Sequence, residues 1–212
     1  MKHMITALLF LFSFSCFAQL KITKIGVNSI PKSIQYIGYV VDAVRWVDSL
    51  GDNIVITTQT GKTASKVAED EGYKDAALYA YHFSFQSGHW VQTWRVYDFI
   101  KECDLDMDFY FVQKSFAVTD LNKDGKAEVW IMYKKSCHGD VSPIPMKIIM
   151  YENNKKYAVR GDTKVRVSEN EYMGGDFVFD ETFKKGPSVF KKYAENLWSR
   201  NRAEKSGRVG DK

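Results

Sequence analysis

With 212 residues, 45% of them hydrophobic and 15% aromatic, the chain can bury a substantial core and is too apolar to be disordered. Its net charge of +4 lies at the ends: residues 19–198 carry 24 basic and 24 acidic side chains, while 199–212 carry Arg200, Arg202, Lys205, Arg208 and Lys212 against Glu204 and Asp211. A neutral body has no electrostatic footprint for nucleic acid, which is set aside as a partner.

The chain opens with Lys2 and His3, an apolar run from Met4 to Phe14, and Cys16-Phe17-Ala18 before Gln19. A charged start, an apolar stretch short of the roughly 20 residues that span a bilayer, and a small-residue exit predict a signal peptide over residues 1–18. Cleavage is expected after Ala18. The alternative, a lipid on Cys16, is disfavoured by Ser13-Phe14-Ser15, a poor lipoprotein box. No later stretch approaches spanning length, so the mature chain is expected to be exported without a transmembrane segment.

Residues 19–198 read as one domain. Tyr36 to Val47 and Ile54 to Thr58 form a predicted hairpin turning through Leu50-Gly51-Asp52-Asn53, and residues 63–70 are read as a short helix. The clearest alternation follows. Tyr79, Tyr81, Phe83 and Phe85 share one face of a strand that turns at Gln86-Ser87-Gly88-His89. The return strand alternates Trp90, Gln92, Trp94 and Val96 against Val91, Thr93 and Arg95. Trp90, Trp94 and Tyr97 are candidates for a sugar-stacking face, with core packing as the alternative.

Once Cys16 has left with the signal peptide, Cys103 and Cys137 have only each other for an intramolecular disulfide in an oxidising compartment. Asp104, Asp106 and Asp108 would share one face of a strand, as a solvated edge, as partners of Asp120 and Asp124 in a cation site, or as the carboxylates of a glycan hydrolase. Between strands at Phe109 to Thr119 and Glu128 to Tyr133 lies Asp120-Leu121-Asn122-Lys123-Asp124-Gly125-Lys126-Ala127-Glu128. Its oxygens at alternate positions, with glycine at the bend, suit calcium, a hard cation that takes six to eight oxygen ligands. The candidate ligands are Asp120, Asn122, Asp124, the Lys126 carbonyl and Glu128. Ile131 stands where an EF-hand needs glutamate, and the flanks are strands. The loop resembles the nine-residue calcium loops of integrin-type β-propeller repeats, with Glu128 where aspartate is usual. The alternative is a plain Asp-Gly turn.

Cys137-His138-Gly139-Asp140 places a thiol beside a histidine, but adjacent strand residues face opposite ways and a disulfide would consume the thiol. His138 and Asp140 are kept as candidate ligand-binding residues, and no catalytic residue is assigned. Met146 to Tyr151 and Tyr157 to Arg160 form another hairpin, and Arg160-Gly161-Asp162 is read as a turn. Gly186-Pro187-Ser188 opens a helix whose Val189, Phe190, Tyr193, Ala194, Leu197 and Trp198 lie on one face. Residues 199–212 are expected to be a disordered basic tail. The whole reads as a mainly β, single antiparallel meander or sandwich-like domain of roughly nine strands with the C-terminal helix packed on it.

From Phe116 through Tyr157 the chain carries Val118-Thr119-Asp120-Leu121-Asn122-Lys123-Asp124-Gly125, Ala127-Glu128-Val129-Trp130, Cys137-His138-Gly139-Asp140-Val141-Ser142-Pro143 and Met146-Lys147-Ile148-Ile149-Met150-Tyr151-Glu152. Together these resemble a family of exported Gram-negative envelope proteins loosely labelled surface-polysaccharide biosynthesis proteins. The resemblance implies a role in assembly or display of lipopolysaccharide or another surface glycan. That role would be exercised in the periplasm, at the outer-membrane surface or outside the cell, with a glycan or an envelope protein as partner. It implies no defined enzyme and no active site. A protein-interaction or inhibitor module is the alternative from a different class.

Overall fold

A computed structural model describes residues 20–66 and 72–203; the segment 1–18 read as a signal peptide lies outside the described residues. The chain is mainly β, and every pairing between its strands is antiparallel. One sheet contains β1 (Ile22–Lys24), β2 (Tyr39–Asp48), β3 (Gly51–Gln59), β4 (Thr63–Ala64), β5 (Lys74–Gln86) and β6 (His89–Cys103). They run in the order β1-β2-β3-β5, with β4 beside β3 on the near side of β5 and β6 on its far edge.

The second sheet contains β7 (Asp106–Phe111), β8 (Ala117–Thr119), β9 (Glu128–His138), β10 (Pro145–Glu152), β11 (Lys155–Asp162) and β14 (Phe177–Phe179), with β7 and β8 both on the outer side of β9. Between β11 and β14, β12 (Lys164–Arg166) and β13 (Tyr172–Gly174) form a small ribbon. Helices α1 (Glu181–Lys185) and α2 (Ser188–Asn201) close the described chain.

Fourteen strands stand among the described residues, against the nine read from alternation. Phe109 to Thr119 breaks into β7 and β8, and pairings of two or three residues are too short to show a period. Thr63 and Ala64, read as the start of a helix, pair with Asp75 and Lys74, and residues 67–70 of that reading lie outside the described residues. The predicted turn Arg160-Gly161-Asp162 lies inside the β10–β11 ladder, where Gly161 opposes Met146. Glycine is required there, because a Cβ on Gly161 would fall 2.0 Å from the Asp176 carbonyl oxygen as β14 closes over it.

Alternation sorts the side chains into layers. Val44, Val55, Leu78 and Ala80 face Val129, Ile131, Ile149 and Ala158 across the gap between the sheets. On the back of the second sheet, Trp130, Met132, Ile148 and Tyr157 receive Phe183, Phe190, Ala194, Leu197 and Trp198 from the helices. The predicted helical face is therefore the one that packs. Asp180 caps α1 by accepting from Phe183 N (2.8 Å) and ties it to the sheet by accepting from Ala158 N (2.9 Å). The domain runs past the predicted boundary at 198: α2 continues to Asn201, and Lys164 N donates to Arg202 O (2.6 Å). Residues 204–212 of the expected tail lie outside the described residues.

The front of the first sheet carries Ile54, Ile56, Tyr79, Tyr81 and Phe83 under Ile30 and Ile34. On β6 the expected alternation fails. The register with β5 shifts between the His82–Trp94 and Phe83–Gln92 pairs, leaving Thr93 as an extra residue. Trp90 therefore packs with the front cluster, while Trp94 turns into the space between the sheets. There a stacked column crosses the molecule: Trp46 to His82 (5.5 Å), His82 to Trp94 (5.2 Å) and Trp94 to Tyr151 (4.3 Å).

Burial between two indoles depresses the His82 pKa from 6.5 to about 4, with the Asp48 charge opposing the shift. The folded protein then binds fewer protons at His82 than the unfolded chain between those values, so stability falls as pH drops through that window. Urea unfolding is expected to show a loss of about 2 kcal/mol between pH 7 and pH 5. That part of the slope should vanish in His82→Gln. An unchanged slope in the variant would contradict this account.

Candidate functional site

The acidic loop lies where the two sheets meet. It connects β8 to β9, and its backbone is tied to the β2–β3 turn: Ser49 N donates to Gly125 O (2.8 Å) and Ala127 N donates to Asp48 Oδ2 (3.0 Å). Within it, Asp120 Oδ2 accepts from Gly125 N (3.2 Å), Asn122 Oδ1 from Asp124 N (3.1 Å) and Asp124 Oδ1 from Lys126 N (2.9 Å). Each side chain is thereby curled back over its own loop. Gly125, at φ +80°, makes the bend.

Glu128 is fully buried. Its Oε2 accepts from the Thr119 hydroxyl (2.6 Å) and from Leu121 N (2.9 Å), and Thr119 in turn accepts from Trp130 Nε1 (2.9 Å). Burial raises the Glu128 pKa, the Thr119, Leu121 and Asn122 hydrogen bonds oppose it, and the Asp120 charge adds to it. Glu152 is raised by burial and by the Asp124 charge, although Asn122 Nδ2 donates to it (2.7 Å).

Two observations bear on a cation here. Asp120 Oδ1 is buried with no hydrogen-bond partner, a costly state for a carboxylate oxygen. Against that, no three His, Cys, Asp or Glu side chains converge among the described residues, and Lys126 Nζ already sits 3.2 Å from Asp124 Oδ2. A hard cation would therefore need Asn122 and backbone carbonyls alongside Asp120, an oxygen-only donor set of the kind calcium takes.

Cys103 at the end of β6 and Cys137 near the end of β9 are joined by a disulfide with Cα atoms 5.8 Å apart. The neighbouring thiol is thus consumed. His138 stands between two carboxylates, Nε2 3.4 Å from Asp108 Oδ2 and Nδ1 3.3 Å from Asp140 Oδ1. The Ser142 hydroxyl, followed by His138, holds the Asp140 pKa below the usual carboxylate range. Asp104 precedes β7 and lies outside it, so the three acidic residues do not form one strand face.

The candidate stacking set is divided. Trp94 is only 7% exposed and belongs to the core. Trp90 stacks obliquely on Phe85 under the Arg45 guanidinium. Tyr97, at 46% exposure, stands in a row on the front face of β5 and β6: Tyr81–Tyr79 at 5.6 Å, Tyr79–Tyr97 at 4.9 Å and Tyr97–Phe99 at 5.3 Å. Phe99 is 40% exposed and was not singled out by sequence. Arg95 lies over Tyr97, and Lys101 and Lys135 flank Phe99 at 5.5 and 5.4 Å.

Sequence reasoning missed a cleft beside that row. Where β6 ends the first sheet, the inner face of the second continues beyond it. The resulting cavity, about 340 Å³, is lined by Arg95, Val96, Tyr97, Asp98, Tyr133, Lys147, Ile149, Lys156 and Arg160. None of Asp104, Asp106 and Asp108 lines it. Asp98 accepts from Lys135 Nζ (2.5 Å), Lys147 Nζ (2.7 Å) and the Tyr133 hydroxyl (2.9 Å). These partners overcome the cost of burial and bring its pKa down to about 2. The readable signal was the placement of cations at inward-facing positions: Lys147 in step with Ile149 and Tyr151, and Lys156 and Arg160 in step with Ala158.

No helix among the described residues is long and apolar enough to cross a membrane. No protein-family model, curated protein or solved structure matches the chain.

Proposed function

We propose that the protein is an exported, non-catalytic module of the bacterial envelope that binds surface polysaccharide through the front of β5 and β6. The observation that carries this is the row Tyr79–Tyr97–Phe99, in which Tyr97 and Phe99 are exposed on an edge strand with cations around them. An apolar ring face beside polar groups suits the C–H face of a sugar, and such rings lose little entropy on contact. The signal-peptide pattern, a disulfide of the kind that persists outside the cytoplasm, and the resemblance to envelope polysaccharide proteins support the same reading. Binding of purified envelope polysaccharide is expected to weaken about 10-fold in Tyr97→Ala and again in Phe99→Ala. Full binding by the double variant would overturn the assignment, as would capture of an envelope protein through this face with no glycan bound.

Calcium is the proposed occupant of the acidic loop, held by Asp120, Asn122 and backbone carbonyls such as that of Lys126, with Asp124 tied to Lys126 and Glu128 bonded to Thr119 and Leu121 behind the loop. Bound there, it would neutralise crowded carboxylates and stiffen the junction between the sheets. Saturating calcium, at 100 times its dissociation constant, is expected to stabilise the fold by about 2.7 kcal/mol, or roughly 5–10 °C in Tm. Asp120→Asn keeps an acceptor for Gly125 N and should abolish that shift. A Tm equal in calcium and in chelator would remove the metal from this account.

A further inference from the structure

We propose that the cleft between β6 and the β9–β10–β11 face binds an oxyanion carried by a saccharide, either a phosphate ester or a uronate carboxylate. The proposal rests on the saccharide-binding reading and specifies which sugars it prefers. Four cations, Arg95, Lys147, Lys156 and Arg160, line the cavity against one carboxylate, Asp98. Lys147 and Arg160 are directly opposed across the β10–β11 ladder, and Tyr133 opposes Lys147 on the other side.

Asp98 is committed to Lys135, Lys147 and Tyr133, which makes that wall rigid. Lys156 and Arg160 have no carboxylate at ion-pair distance among the described residues. Burial lowers the Lys156 pKa first, the Arg160 and Lys147 charges lower it further, and the Asp180 and Asp98 charges oppose them without reversing the shift. Lys147, Lys156 and Arg160 repel one another in the empty protein. An incoming oxyanion converts that repulsion into charge-assisted hydrogen bonds, and the Arg160 guanidinium can meet phosphate or carboxylate with two parallel donors.

The cavity is of the size usual for small-ligand sites. Tyr97 belongs both to its lining and to the exposed aromatic row, so one sugar stacked on Tyr97 would bring its neighbour's acidic group to the cleft. The neutral net charge of residues 19–198 argues for this local acidic target over a nucleic-acid backbone.

Calorimetric titration of the mature protein with a glucuronate oligosaccharide, a glycosyl phosphate, a neutral glucose oligosaccharide of equal length and inorganic phosphate tests the site. At least one acidic saccharide is expected to bind at least about 30-fold more tightly than the neutral one. The two acidic probes show which oxyanion is preferred. The double variant K156Q/R160Q should erase that preference while Tm holds or rises, since the substitutions relieve the repulsion between two cations that are still partly open to solvent. Stacking of neutral sugar on Tyr97 should persist. Equal binding of acidic and neutral sugars by the wild-type protein, or an undiminished preference in the double variant, overturns the proposal. If inorganic phosphate binds the wild-type protein alone and no saccharide binds more tightly than it, the saccharide reading falls and the oxyanion site stands.

Discussion

Replacing Cys103 and Cys137 together by alanine is expected to remove about 3–4 kcal/mol of unfolding free energy, the loop-closure contribution of a bridge between residues 34 apart. The effect should be large because the bond joins the two sheets: Cys103 ends β6 and Cys137 lies near the end of β9. Cys103 is buried among Ala76, Ile100 and Met107, so alanine is the milder replacement. Denaturant unfolding of the wild-type protein with and without reductant should reproduce the difference, with the oxidised form lighter by about 2 Da in intact mass. Coincident midpoints under the two conditions would count against a stabilising bridge.

Trp198→Ala is expected to cost about 3–5 kcal/mol. The indole is fully buried against Phe177 (5.2 Å between ring centroids), and its Nε1 donates to Gly175 O (3.1 Å). Removing it opens a cavity under α2 and strips that carbonyl of its donor. The helix covers the back of the second sheet through Phe190, Ala194, Leu197 and this residue, so its loss should expose Trp130 and Tyr157. Thermal unfolding and tryptophan fluorescence measure the two consequences. A loss below about 1 kcal/mol would mean that α2 contributes little to the cooperative core.

The sequence conveyed most where one period ran long enough to be heard. Tyr79, Tyr81 and Phe83 do share a face, and the α2 stripe is the packed one. Thr93 shows where that reasoning stops. A single extra residue reverses the facing of everything after it, and nothing in the order Trp90 to Val96 marks which residue will be left unpaired. The boundaries of β4, β12 and β13 were silent for a simpler reason, since two or three residues carry no measurable period.

The candidate sites were legible to different degrees. The acidic loop could be read locally because its side chains bond within nine residues. The cleft could not. Its charges come from β6, β10 and β11, about 65 positions apart along the chain, and they cancel in a regional count. Segregation happens in space, when β6 at the edge of the first sheet comes to lie beside the inner face of β9, β10 and β11.

Strand β9 is anchored near both of its tips: the Ala127–Asp48 hydrogen bond precedes its first residue, and Cys137 is its penultimate one. With roughly 3.4 Å per residue, those anchors stand about 34 Å apart. A pulling force applied across the sandwich would therefore meet unequal resistance, a covalent rivet at one extremity and a few hydrogen bonds at the other. Under mechanical load the layers should peel from the acidic bend first, like a clasp with one soldered hinge.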